Sequence, residues 1–137
     1  MNDVVADMLA CRSIAVVGAT NRPEKFGYKI FRDLRAKGYE VIPVHPALAE
    51  IDGVACYKTV EDIPTPPEVV CCVVPPAVTE KVVRSCAARG VRFVWMQPGA
   101  ESPEAIAYCR SQGLACVHGQ CIMVLSHPRA MDGSRDG

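Results

Sequence analysis

The stretch A-K-G-Y-E-V-I-P-V, residues 36–44, joins the end of an apolar helical face to a short apolar strand through a polar residue and a glycine. The same arrangement recurs in A-R-G-V-R-F-V-W-M, residues 88–96, and in S-Q-G-L-A-C-V-H, residues 111–118. A glycine at this position is typical of a helix that ends in the left-handed conformation, where a Cβ is unfavourable. The three glycines are Gly38, Gly90 and Gly113. The repeated junction predicts a chain that alternates helices with strands.

The segments around these junctions have the matching periodicity. Apolar residues recur at helical spacing over 26–34 and 78–87, and a shorter third helix is opened by Ser102-Pro103, a capping residue before a first-turn proline. The predicted strands are apolar throughout, which suits a parallel sheet that helices cover on both faces. They cover residues 13–18, 40–44, 68–74 and 92–96, with a small extra strand at 54–56 and a helix-start box at 59–62. The sequence therefore predicts an α/β fold, a doubly wound parallel sheet of about five strands.

Length and charge limit the kind of protein. The 137 residues suffice for one domain, predicted at 1–125, followed by a tail at 126–137 that we expect to be partly disordered. The net charge of zero disfavours nucleic acid as a partner, because phosphate binding normally requires a basic excess. No apolar run approaches the roughly 20 residues that span a bilayer, and the N-terminus lacks a secretory pattern. A cytoplasmic protein without membrane contact is expected.

The eight cysteines do not form a recognisable metal or disulfide pattern. There is no C-x-x-C and no Cys/His spacing typical of a zinc site. Most lie inside apolar, periodic segments, where a free cysteine behaves as a small hydrophobic residue. We predict no metal site.

The segments that follow the strands point to a ligand. They are G-A-T-N-R-P-E-K (18–25), H-P-A (45–47), P-P-A (75–77) and Q-P-G-A (97–100), and in a parallel sheet all four fall at one edge. The small residues of the first loop would let a ligand approach the backbone, and the loop leads into a helix N-terminus, which attracts anions. We therefore predict a phosphate-binding loop here.

A nicotinamide dinucleotide is a poorer candidate for this edge. The fingerprint G-x-G-x-x-G is absent, since Gly18 is followed by no further glycine until Gly27. The second strand ends at Val44-His45, where a carboxylate would normally hold the ribose hydroxyls. A nicotinamide-dependent oxidoreductase remains the alternative from another functional class.

The order and spacing of five segments resemble a known family. They are I-A-V-V-G-A-T-N-R-P-E-K (14–25), V-I-P-V-H-P (41–46), V-V-P-P-A (73–77), W-M-Q-P-G-A (95–100) and C-I-M-V (121–124). Together they resemble the CoA-binding domain family, related to the N-terminal domain of the succinyl-CoA synthetase α subunit. The small stand-alone members are the most similar. The resemblance implies a Rossmann-like fold and coenzyme A as the bound cofactor.

The resemblance also implies which residues bind. The CoA pyrophosphate would rest on the first loop, and the adenine and pantetheine parts would pass the ends of the other strands. The related ligase has a lysine shortly after its second strand, where this chain has His45-Pro46. Either the affinity for CoA is weaker than in the ligase, or Lys25 or His45 supplies the positive charge. The expected site is Gly18, Ala19, Thr20, Asn21, Lys25, His45, Pro75, Pro76, Gln97, Pro98 and Gly99.

The sequence predicts no catalysis by this chain alone. The ligase reaction needs a further domain with a phosphorylated histidine, for which 137 residues leave no room. An alternative is that the chain is the CoA-binding subunit of a two-chain acyl-CoA ligase, with a protein partner; a homo-oligomer is also open. Cys121 follows His118 by three residues, which could make a thiol nucleophile or a mixed disulfide with CoA. We favour a buried structural cysteine.

Overall fold

The computed structural model describes residues 3–129, which form seven strands and five helices. The strands are β1 (Ser13–Val17), β2 (Glu40–Val44), β3 (Glu50–Ile51), β4 (Val54–Ala55), β5 (Val69–Cys72), β6 (Phe93–Met96) and β7 (Ala115–His118). The helices are α1 (Val4–Leu9), α2 (Phe26–Ala36), α3 (Pro76–Arg89), α4 (Pro103–Ser111) and α5 (Ile122–Leu125), with one 3-10 turn at Val60–Asp62.

Five of the strands form one parallel sheet in the order β2-β1-β5-β6-β7. The chain builds outward from β1 to β2 on one side and then from β5 to β7 on the other. The fold is therefore the predicted doubly wound α/β sheet. The direction in which successive strands are added to the sheet reverses between β1 and β5. In such sheets, ligands bind outside the carboxyl ends of the strands at this reversal. The two short strands β3 and β4 form a separate antiparallel hairpin after β2.

The sheet separates two apolar layers. Alternate residues of one strand enter opposite layers, so that Cys71 packs with α2 and Trp95 on one face while Cys72 packs with α3 on the other. Burial raises the pKa of the Cys86 thiol on α3 to about 12, because the low-dielectric core disfavours the thiolate. Cys71, Cys72, Cys86 and Cys109 are buried free thiols. The prediction that cysteines serve as small core residues is confirmed for these four.

The predicted helix ends are confirmed. Gly38, Gly90 and Gly113 have φ values of +98°, +78° and +75°. Ser102 Oγ accepts a hydrogen bond from the Ala105 amide at 3.2 Å and so caps α4. The short extra turn predicted at 59–62 is confirmed as a 3-10 turn that begins after Thr59, although the Thr59 hydroxyl donates to the Asp62 carboxylate at 3.0 Å instead of capping the backbone.

The C-terminal segment packs on the amino-end edge of the sheet as far as it is described. Lys37 Nζ donates to the Met123 carbonyl and to Ser126 Oγ, each at 2.8 Å. Arg129 Nη1 donates to the Cys11 carbonyl at 2.6 Å. The predicted tail therefore contacts the domain over 126–129, and residues 130–137 lie outside the described residues. The longest helix has 14 residues, and none in the described range is long and apolar enough to cross a bilayer.

Candidate functional site

The turn after β1 is built on very close backbone packing. Gly18 has a φ of +100°, and a Cβ placed on it would overlap the Val73 carbonyl that follows β5. A Cβ on Gly27, in the first turn of α2, would likewise overlap the Gly18 carbonyl. Gly18 is thus required first by the protein's own packing. That its small size also lets a ligand approach the backbone stays a prediction.

The rest of the first loop is divided between core and solvent. Ala19 is fully buried in the α2 layer, so its contribution to a site is structural support. Thr20 is half-buried, and its Oγ1 accepts a hydrogen bond from the Arg22 amide at 3.4 Å. Asn21 and Lys25 are exposed. Lys25 occupies the N-cap of α2 without a side-chain cap bond, and the first turn of the helix contains no acidic residue.

An apolar pocket of about 240 Å³ lies at the carboxyl ends of β1 and β2. Its floor includes Gly18 and Val44, and α3 forms one wall. Two lysines, Lys58 from the segment after β4 and Lys81 from α3, stand among otherwise mostly apolar lining residues. The remaining lining residues are Val17, Pro46, Thr59, Val60, Val74, Val78, Val82 and Ser85. The combination of an apolar interior and two cations suits an aromatic ring that carries a phosphate.

His45 lies at the end of β2 with its ring bonded to its own turn, and its proposed role as the positive charge stays a prediction. Its Nδ1 accepts hydrogen bonds from the Ala47 amide at 2.9 Å and the Leu48 amide at 3.3 Å. These two hydrogen bonds hold the imidazole against its own turn. The cation beside the end of β2 is Lys58, which reaches the pocket because the Tyr57 carbonyl accepts a hydrogen bond from the His45 amide at 2.9 Å.

The pocket continues along the strand ends as a shallow cleft. Val74 belongs both to the apolar pocket and to a neighbouring depression of about 260 Å³. That depression is lined by Val73, Val74, Pro75, Gln97, Pro98, Gly99 and Ala100. This depression brings together four of the predicted residues, Pro75, Gln97, Pro98 and Gly99. Pro76 is the exposed first residue of α3 and lines neither the pocket nor this depression.

A third depression, of about 180 Å³, lies at the far end of the cleft between Phe26 and Cys121. Gln97 is buried there, and both ends of its amide are occupied. Its Nε2 donates to Cys121 Sγ at 3.3 Å, and its Oε1 accepts from the Ile122 amide at 2.7 Å. Gln97 therefore holds the Cys121 loop in place. The His118 side chain is exposed, and the Cys121 sulfur accepts its hydrogen bond from Gln97.

Three residues of this region were not identified from the sequence: Lys58, Lys81 and Gly27. Lys58 and Lys81 are exposed lysines without a motif, and only the topology brings them to one pocket. Gly27 did carry a signal, because a glycine in the first turn of a predicted helix weakens that helix unless close packing requires it. Among residues 3–129, no group of three or more histidine, cysteine or carboxylate side chains could hold a metal ion.

Comparison with known proteins decides the family. The profile described as CoA binding domain matches residues 12–127, which is most of the chain. This chain belongs to the CoA-binding domain family. The resemblance found in the sequence is confirmed, and the cleft along the strand ends is the candidate site of a CoA-binding domain.

Relatives of this CoA-binding domain include both long and short proteins. It is similar to the alpha subunit of an ADP-forming acetate–CoA ligase II of Pyrococcus furiosus, with 29% identity over 126 residues, 84% of this chain and 28% of that subunit. It is similar to the uncharacterized protein YneT of Bacillus subtilis, with 28% identity over 82% of this chain and 84% of YneT. A solved structure of a conserved hypothetical protein from Pyrococcus furiosus has a TM-score of 0.80 and 42% identity, and the match covers 82% of this chain and 97% of that one. The chain therefore spans about a quarter of the ligase subunit and most of the short relatives.

Proposed function

We propose that this domain binds coenzyme A in the strand-end cleft and that it carries out no catalysis alone. The observation that carries the proposal is a row of three depressions along the strand ends that share lining residues. The first is apolar with Lys58 and Lys81 beside it, and the last lies between Phe26 and Cys121. A cleft of this form fits a ligand with an aromatic phosphorylated head and a long, narrow tail. CoA has this shape.

The pyrophosphate is assigned to the turn between β1 and α2. Helix α2 has 11 residues, no capping side chain and no acidic residue in its first turn. Its amino end therefore keeps its partial positive charge, which attracts a phosphate group. Lys25 at the N-cap adds a cation, while Arg22 forms an exposed ion pair with Glu24 at 3.2 Å. Thr20 and Asn21 lie in the same turn, and we include them in the proposed pyrophosphate site.

The adenosine head is assigned to the apolar pocket. CoA carries a phosphate on its ribose, and Lys58 and Lys81 are the cations that line this pocket. A ribose phosphate would also explain why β2 ends without a carboxylate, since an acidic residue there would repel it. This part of the proposal distinguishes CoA from NAD, whose bare ribose hydroxyls prefer an acid.

The pantetheine arm is assigned to the depressions between β5 and β6. Val74, Pro75, Pro98 and Gly99 line this path, and its end lies between Phe26 and Cys121. The thiol would then arrive at the mouth of the cleft, open to a second protein. We propose that a partner chain supplies any chemistry, as the similarity to a ligase alpha subunit suggests.

A thermal-shift series on the full chain tests the proposal with CoA, dephospho-CoA, NAD, NADP and ATP. We expect CoA to raise the melting temperature most, since a ligand at ~100 times its dissociation constant adds about 2.7 kcal/mol of stability. A larger shift with NAD or NADP would favour the nicotinamide-dependent oxidoreductase. If none of the five ligands raises the melting temperature, the proposal that this chain binds CoA by itself is overturned.

A further inference from the structure

The two edges of the five-stranded sheet differ in how they are protected. At the outer edge of β2, the Tyr57 amide donates to the Pro43 carbonyl at 3.1 Å, and the His45 amide donates to the Tyr57 carbonyl at 2.9 Å. Pro43 has no amide hydrogen of its own to offer a further strand. A second chain therefore finds no free backbone ladder at β2, because a segment of the same chain already occupies this edge.

The outer edge of β7 has no such cover. Within residues 3–129, β7 pairs with β6 alone, and the chain after it turns back over β6, where Trp95 Nε1 donates to the Gln120 carbonyl at 2.9 Å. Helices α1 and α4 pack against β7 in opposite apolar layers and so flank the strand without pairing with it. The segment L-A-C-V, residues 114–117, contains no charge and no proline, the residues that normally prevent pairing at an edge.

The register of the sheet shows which backbone groups β7 presents on its outer side. The Ala115 amide donates to the Arg92 carbonyl at 2.9 Å, towards β6. Successive residues of a strand direct their amide and carbonyl to alternate sides, so Ala115 and Val117 face β6. The amides and carbonyls of Cys116 and His118 then point away from the sheet. Two donors and two acceptors therefore lie in a row on an edge that no other strand within residues 3–129 uses.

We propose that β7 pairs in antiparallel orientation with β7 of a second copy of this chain, across a two-fold axis at Val117. In an antiparallel pair, two opposite residues whose amides and carbonyls face each other exchange both hydrogen bonds. Cys116 of each copy then lies opposite His118 of the other, which gives two such exchanges related by the axis. The two five-stranded sheets become one continuous sheet.

A second copy fits this edge better than an extended peptide from another protein. Peptides that add a strand to a sheet are selected by pockets for their alternate side chains, and no residue of β7 lines the pocket or the two depressions at the strand ends. β7 contains no acidic or basic residue apart from His118, so no Asp, Glu, Lys or Arg of the two strands meet across the axis. Because β6 separates β7 from β5, the dimer leaves the cleft of each copy open, and the proposal does not depend on CoA binding.

Sedimentation velocity on the reduced full chain, across the micromolar concentration range, tests the pairing. We expect a concentration-dependent species with twice the mass of one chain, in which the amides of Cys116 and His118 exchange hydrogen more slowly than in dilute protein. His118→Pro removes an outward amide and no bond to β6, so it should fold and raise the dissociation constant of the dimer at least about tenfold. His118→Ala is the matched control, since it loses the same side chain but keeps the amide, and it should associate as the wild type does.

The proposal is overturned if the wild type keeps the mass of one chain at the highest concentration, or if His118→Pro associates as tightly as His118→Ala. If His118→Pro does not fold, hydrogen exchange of the wild type decides. Amides of Cys116 and His118 that exchange equally fast in dilute and in concentrated protein would rule out pairing through β7.

Discussion

The carbonyl oxygen of Gly18 fills the space that a side chain on Gly27 would need, so the turn after β1 and the first turn of α2 are in direct backbone contact. The same turn is held from the other side by the amide of Gly18, which donates to the Val44 carbonyl at 3.1 Å. The position of the α2 amino end relative to the sheet is therefore set by two glycines. Both the fold and the proposed pyrophosphate site depend on it.

Gly27→Ala should destabilise the protein although alanine is the better helix former. Helix propensity alone predicts a gain of about 1 kcal/mol, whereas the backbone overlap should produce a net loss of about 2 kcal/mol or more. Gly90→Ala is the matched control, because its Cβ would meet no atom within 4 Å and only the left-handed φ of +78° opposes it. Urea unfolding measures both. A Gly27→Ala protein more stable than Gly90→Ala would contradict the contact.

Lys58→Met and Lys81→Met should each weaken binding of CoA more than binding of dephospho-CoA. A charged hydrogen bond to phosphate contributes roughly 1.5–3 kcal/mol, and an exposed lysine gives less, so we expect a loss of about tenfold for CoA. Isothermal titration measures both ligands. Arg92→Met, which removes one exposed charge at the opposite edge of the sheet, is the control for net charge. Equal losses of affinity for the two ligands would show that these lysines do not contact the ribose phosphate.

Glu68 should make stability depend on pH at the amino-end edge of the sheet. Its carboxylate accepts hydrogen bonds from the Ser13 amide at 3.0 Å and the Arg12 amide at 2.7 Å, which lower its pKa. A lowered pKa means that the stabilisation is present above the ordinary glutamate pKa and is lost as the pH falls through the folded value.

Glu68→Gln should therefore be less stable than the wild type by about 1 kcal/mol at pH 7, because the site is largely exposed. The difference should shrink below a pH of about 4. Denaturant unfolding at a series of pH values measures it, with Glu61→Gln as an exposed control. A difference that stays constant down to pH 3 or so would rule out the carboxylate as its cause.

Cys121→Ala should leave CoA affinity unchanged and cost about 1 kcal/mol of stability. The cost arises because the Gln97 amide loses the sulfur that accepts its hydrogen bond. Cys121→Ser keeps an acceptor and should cost less. A stoichiometric adduct after incubation with CoA disulfide, mapped to Cys121 and absent from Cys121→Ala, would show that the thiol reacts instead.

The fold was predictable because its signals are local. The glycines at 38, 90 and 113 end helices through their own backbone conformation, and the apolar strands follow at once. The site was predictable only in part. Segments that follow strands, such as Pro98-Gly99, meet because all parallel strands end at one edge. Lys58 and Lys81 come from a hairpin exit and a helix face, and nothing in their local sequence indicates that they share a pocket.

The contacts of Arg129 fix where the C-terminal end of the described chain lies on the domain. Its Nη1 donates to the Ala10 and Cys11 carbonyls, just before β1, so Arg129 lies at the amino-end edge of the sheet. The candidate cleft lies at the other end of the strands, where β1, β2, β5 and β6 finish. A ligand can therefore occupy the cleft without meeting Arg129.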